Sequence, residues 1–148
     1  MLKSIWKISC VPAVLALIPS LLYAAPGCHG LETSSSPTVV VDAQIAAYNA
    51  HDVEGFATCY SDDVEITDLA GKIPPIKGQA ALVKTYAFLK RVPQAFGVEI
   101  VHRIVNGPMV IDQEHVVGLP PDKHKPDQVA VYEVRGGRIV KAWFPPAE

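Results

Sequence analysis

Apolar residues recur along this chain at two different periods, and the change of period divides it. Between Ser36 and Pro93 the spacing is mostly helical. Val41, Ile45 and Tyr48 stand at i, i+4 and i+7, one face of a helix. Ser36 followed by Pro37 supplies an N-cap and a proline at the first helical position, and the pattern fades near Ala50. Asp52 is placed to cap a second, short helix carrying Phe56 and Tyr60. A third opens after Gly78, puts Leu82, Tyr86 and Leu89 on one face, and is stopped by Pro93. Between the second and third helices the period becomes two. After a turn at Ser61-Asp62-Asp63, a strand sets Val64, Ile66 and Asp68 on one face against Glu65, Thr67 and Leu69 on the other. Gly71 to Lys77, with two prolines, reads as a loop.

Beyond Val98 the strand pattern takes over. Val98–Val105 and Met109–Val117 are strands joined by a turn at Asn106-Gly107-Pro108. Residues 118–128 form a polar loop with three prolines, expected outside the sheet. Val129–Arg135 and Arg138–Phe144 pair through a tight Gly136-Gly137 turn. The order helix, helix, strand, helix, then four strands implies an α+β fold, an antiparallel meander with helices gathered on one face. A bent sheet wrapped around a helix leaves an internal cavity, the kind of place where small ligands sit.

The beginning of the chain is of another kind. Lys3 and Lys7 precede an apolar stretch from Ile8 to Leu22 that Pro12 and Pro19 interrupt, and Leu22-Tyr23-Ala24 offers a cleavage site. This predicts a signal peptide over residues 1–24, too short and too broken to span a membrane, and so an exported protein, periplasmic or secreted. Residues 25–36, rich in Gly, Pro and Ser, read as a mobile leader, and 37–148 as one domain. Removal of the signal leaves 11 basic against 15 acidic residues, with no basic patch to bind nucleic acid. Of three cysteines, Cys28 and Cys59 remain. They could bridge, Cys28 could carry a lipid anchor on a poor lipobox, or both could stay free thiols.

Candidate chemistry centres on carboxyl groups. Asp68 shares a strand face with two β-branched apolar residues, so it is either a strand-end acid or a base inside a pocket. Desolvation there would move its pKa up towards working pH. In Met109–Val117 the alternation groups Val110, Asp112, Glu114 and Val116, leaving Ile111, Gln113, His115 and Val117 opposite. Either set can face the cavity. If the first does, two carboxyls enter an apolar cup and one has its pKa raised by the other. His102 groups with Val98, Ile100 and Ile104, as a satisfied core residue or a pocket donor. Tyr48, Phe56, Tyr60, Tyr86 and Trp143 read as core or cavity wall. The histidines lack metal-ligand spacing, and no phosphate loop or serine-nucleophile elbow occurs, so neither metal nor cofactor is expected.

Tyr48-Asn-Ala-His-Asp52, Phe56, Tyr60–Asp68, Ile76-Lys-Gly78 and Val131–Phe144, in that order, resemble the SnoaL-like branch of the NTF2-like superfamily. The likeness covers Thr38 to Phe144. It implies a cone-shaped α+β barrel, often a homodimer, with a pocket between sheet and long helix. Ketosteroid isomerases and polyketide cyclases belong to that superfamily. The isomerases' general base falls on Asp68. Their tyrosine and protonated aspartate, which polarise the substrate oxygen, fall on Gln44 and Ala130, so a donor must come from elsewhere: Tyr48, Tyr60, Tyr86, His102, Asp112 or Glu114. The resemblance thus implies proton transfer beside a carbonyl of a hydrophobic substrate. Asp68 and Asp112 are its catalytic candidates; Tyr48, Phe56, Tyr60, Tyr86, His102, Glu114 and Trp143 are its substrate-binding candidates. The alternative is a non-catalytic periplasmic module holding an apolar ligand in the same cavity.

Overall fold

A computed structural model of the protein describes residues 27–123 and 125–147. The signal peptide expected over residues 1–24 lies outside the described residues. Helices α1 (Pro37–Asn49), α2 (Val53–Ala57) and α3 (Gln79–Tyr86) precede or interrupt six strands. These are β1 (Tyr60–Asp68), β2 (Ile76–Lys77), β3 (Gly97–Asn106), β4 (Met109–Val117), β5 (Gln128–Arg135) and β6 (Arg138–Phe144). They form one mixed, curved sheet in the order β2-β1-β6-β5-β4-β3. The meander from β3 to β6 is antiparallel, whereas β1 runs parallel to β6. The fold is α+β, as the sequence pattern implies.

Local chemistry sets the helix starts. The Ser36 side chain accepts from the Val39 N–H, with Pro37 behind it, and Asp52 Oδ1 accepts from the Gly55 N–H at 2.9 Å. Three elements depart from those the pattern predicts, the first two through strand pairing. The turn expected at Ser61-Asp62-Asp63 is absorbed into β1, whose pairing with β6 jumps from Tyr60 to Glu65. Those acids are the bulged, solvent-facing part of the strand. In the loop after β1, Ile76 and Lys77 pair with β1 and become β2. The third helix tightens into a 3₁₀ turn at Ala87–Arg91.

The described part of the segment expected as a loose leader, residues 27–36, is tied down at Cys28 and Glu32. Cys28 is fully buried and bonded to Cys59 at the end of α2. Glu32 lies against Gly137 in the β5–β6 turn, so close that a Cβ there would come within 2.4 Å of the Glu32 carbonyl oxygen. With Gly137 at φ +70°, only glycine suits that position. A disulfide at Cys28 is incompatible with a lipid anchor on the same sulfur.

Cross-strand rows show which face is inside. Ile66, Ala142, Tyr132, Val110 and Val105 lie in one row, and the first four are buried beneath α1. The adjacent row of Thr67, Trp143, Val131, Ile111 and Ile104 lies on the outer face, with Ile104 62% exposed. β4 therefore turns Val110, Asp112, Glu114 and Val116 inward.

Candidate functional site

Between α1, α3 and the inner face of the sheet lies a cavity of about 590 Å³, within the range of small-ligand sites. Its walls are largely apolar and aromatic. α1 contributes Gln44, Ile45 and Tyr48; α3 contributes Thr85 and Tyr86. β1 contributes Tyr60, Ile66 and, at the mouth, Asp68. The far end is closed by Glu114, Gln128 and Tyr132 from β4 and β5.

Glu114 dominates the electrostatics. Only 3% of it is exposed. One carboxylate oxygen accepts from the Tyr132 hydroxyl at 2.9 Å and the other from Gln128 Nε2 at 2.8 Å. Burial pushes its pKa above the ordinary 4.5; the two hydrogen bonds pull the other way and do not cancel the loss of hydration. Neighbouring Asp112 adds to the rise, and Arg103 opposes it.

Around this carboxyl stand three phenols. Burial pushes Tyr48 up to about 12, with Glu114 adding to the shift. Tyr60 and Tyr86 are raised too, by burial first and by their anionic or phenolic neighbours second. All three stay protonated at any working pH. Their hydroxyls have no hydrogen-bond partner among the described residues, so they remain donors for whatever enters the cavity. Phe56 packs tilted behind them, its ring centre 5.0 Å from that of Tyr60 and 4.7 Å from that of Tyr86, buried in the core and not on the cavity wall.

Asp68 keeps the strand face expected of it, beside buried Val64 and Ile66, but its carboxylate is engaged. Oδ1 accepts from the Ala70 N–H at 3.0 Å; Oδ2 accepts from the Lys72 and Ile73 N–H groups at 2.8 and 3.1 Å. Some desolvation at the cavity rim favours the neutral acid, yet the three N–H groups and the Lys72 charge outweigh it. The pKa is lowered, the reverse of the expected rise. Here Asp68 fastens the loop that forms one lip of the mouth.

Three further expectations are corrected. Asp112 faces inward but is sealed off from the cavity: fully buried, it is held by Arg103 through Nε at 2.6 Å and Nη2 at 2.7 Å. Arg103 also reaches Asp42 on α1, so the trio is a strut between helix and sheet. His102 is exposed, because the register of β3 against β4 slips between Ile100 and His102. Trp143 belongs to the outer row described above. Tyr48, Tyr60, Tyr86 and Glu114 do meet in the cavity.

Gln44, Gln128 and Tyr132 were missed as site residues. For each a signal existed: Gln44 falls on the position of the isomerases' tyrosine, while Gln128, Ala130 and Tyr132 alternate on one face, with Gln128 paired directly with Glu114. Among the described residues no cluster of His, Cys, Asp and Glu could hold a metal ion. No helix among them is long and apolar enough to cross a membrane.

A fold of three helices on a curved mixed sheet, enclosing a polar-ended cavity, defines a class of small-molecule-pocket domains. The model of the SnoaL-like domain matches residues 41–142, and the chain belongs to that family. Solved structures of NTF2-like proteins share the fold. An uncharacterized cystatin-fold protein from Novosphingobium aromaticivorans is 29% identical, with a TM-score of 0.62 over 74% of this chain and 97% of that one. A polyketide cyclase candidate from Sinorhizobium meliloti is 17% identical, with a TM-score of 0.60 over 72% and 93%. An M. tuberculosis LEH-like epoxide hydrolase is 20% identical, with a TM-score of 0.58 over 74% and 80%. No curated protein gives a significant sequence match.

Proposed function

We propose that the protein catalyses cofactor-independent proton transfer beside a carbonyl of a hydrophobic substrate, as an isomerase or cyclase, with Glu114 and not Asp68 as the proton carrier. The observation that carries this reading is a buried carboxyl of raised pKa facing three unpartnered phenols across an apolar cavity. In its ionised form Glu114 takes a proton from the carbon next to the carbonyl, and the C–H electron pair moves into the enolate. A tyrosine hydroxyl donates to the enolate oxygen, where charge builds up. The protonated Glu114 then returns the proton to the conjugated carbon. Tyr132 and Gln128 hold the carboxyl in place through both steps.

The test is conversion of a β,γ-unsaturated ketosteroid to its conjugated enone, followed by absorbance, for the wild type, Glu114→Gln and Asp68→Asn. We expect Glu114→Gln to lose about 10²–10⁴-fold in rate while Asp68→Asn retains turnover. The opposite ranking would return the base to Asp68. A silent wild type would exclude this substrate.

A second reading, a binding module for an apolar ligand, is favoured by the engagement of Asp68 in its loop. Export belongs to the same proposal, supported by the Cys28–Cys59 bridge, because such bonds persist in oxidising compartments; cell fractionation with thiol titration tests it. A homodimer through the outer face, where Ile104 and Trp143 lie, is tested by sedimentation.

A further inference from the structure

The cavity mouth leaves apolar side chains in water. Ile73, Pro74, Phe88 and Pro146 all line the cavity, and all are exposed, Ile73 to 61%. They come from three parts of the chain: the loop after β1, the 3₁₀ turn after α3 and the segment after β6. Single exposed apolar residues need no explanation, but a cluster around the opening of an apolar cavity marks an interaction surface. Two cations, Lys72 and Lys125, are exposed on the same rim. The carboxylate at the mouth, Asp68, is taken up by the N–H groups of Ala70, Lys72 and Ile73. Those bonds also fix the backbone of the loop that presents Lys72 and Ile73, so this lip is ordered before any partner arrives and docking costs less entropy. Beyond residue 24 acids outnumber bases 15 to 11, so the positive rim is a local feature and not a property of the whole chain.

We propose that the cavity mouth docks on the surface of an anionic lipid bilayer, with Ile73 and Phe88 entering the apolar layer and Lys72 and Lys125 resting among the headgroups. The lysines are answered by negative charge, and an uneven apolar rim is answered by a fluid apolar phase. Long lysine stems can lie along that phase while their ammonium groups stay in water. A second copy of the chain suits this face less well. A symmetric pair sets the patch against its own copy and would bring four lysines together. Docking gives a hydrophobic ligand dissolved in the bilayer a path into the cavity that does not cross water. The inference goes beyond proton transfer and requires only that the mouth meets an apolar phase.

Binding is measured by co-sedimentation of the protein from Ala25 onward, which contains every described residue, with two kinds of vesicle. One is phosphatidylcholine; the other is equal parts phosphatidylcholine and phosphatidylglycerol. The wild type should bind the anionic vesicles more tightly, and the difference should fade in high salt. Lys72→Gln and Lys125→Gln should each weaken binding to the anionic vesicles about fivefold, the worth of one lysine near such a surface, and leave the neutral vesicles unchanged. Ile73→Ser should weaken binding to both about tenfold, through the lost apolar burial. The three side chains are exposed and the bonds to Asp68 come from the backbone, so melting temperatures should match the wild type. Equal affinity of the wild type for the two compositions overturns the proposal, and so does wild-type affinity in Ile73→Ser. Failure of the wild type to sediment with either vesicle also overturns it and would leave the rim to a protein partner. No substrate enters the measurement. A protein silent towards the ketosteroid that sediments as expected keeps this inference, and an active one that does not sediment loses this inference alone.

Discussion

Replacing Arg103 by Met asks whether Asp112 is a strut or a catalyst. In the wild type the Asp112 carboxylate is fully buried and both its oxygens are held by the guanidinium. Removing only the cation leaves a buried charge with no partner, a change that costs about 3–5 kcal/mol. The contact with Asp42 adds little, because Asp42 is largely exposed. With a urea slope of about 1.3 kcal/mol per molar, typical of a domain this size, the unfolding midpoint should fall by about 2–4 M with the slope unchanged. Asp112→Leu alone should cost less, since Arg103 is partly exposed and keeps Asp42. The double variant Arg103→Met/Asp112→Leu replaces the pair by apolar groups and should recover most of the loss. The assay is urea unfolding at neutral pH, followed by fluorescence. A loss below about 1 kcal/mol in Arg103→Met would refute the buried-pair reasoning, since that is the level of a surface pair. A stable double variant without turnover, beside an active wild type, would restore Asp112 as a catalytic candidate.

Further predictions concern the two carboxyls and the bridge. Glu114 has its folded pKa raised, so the native state binds the extra proton: its stabilising contribution is complete below the ordinary 4.5 and is lost as pH rises through the folded value. Glu114→Gln should flatten that part of the stability–pH curve, and an unchanged curve would count against the buried acid. Asp68 behaves in the opposite sense. Its contribution is present above its ordinary 3.8 and disappears as pH falls through the lowered folded value. Asp68→Ala should therefore speed amide hydrogen exchange at Ala70, Lys72 and Ile73 without affecting the far end of the cavity; protection retained at all three would show that other groups hold the loop. Cys28 and Cys59 are 31 residues apart. Replacing both by Ser should cost roughly 3–4 kcal/mol from the chain-entropy relation, seen as a lower melting temperature that added reductant does not lower further.

Features that depend on near neighbours were legible from residue type and spacing. The N-cap at Ser36, the proline after it and the cap at Asp52 act within one helical turn, so residue type and spacing were enough to place both helix starts. The Gly136-Gly137 hairpin, β4 and β6 were equally legible, because turn chemistry and period-two alternation are local. That alternation also defined the two faces of β4, but not which of them lies inside. The packing of α1 decided that, through the Arg103 link from Asp42 to Asp112. His102 lies on the other face from the one the alternation implies because Val101 has no partner in β4, and that one extra residue in β3 turns the side chains after it over. Asp68 is the sharpest case. Its strand face was readable, but its role was not, because the three N–H groups that hold it belong to a loop that folds back over the strand end. Tertiary structure likewise brought Gln44, Glu114 and three tyrosines from α1, β1, α3 and β4 around one space. Burial then raised the pKa of the carboxyl and left the Gln44 amide oxygen without a partner, and neither effect can be read from residues that in sequence lie up to seventy positions apart.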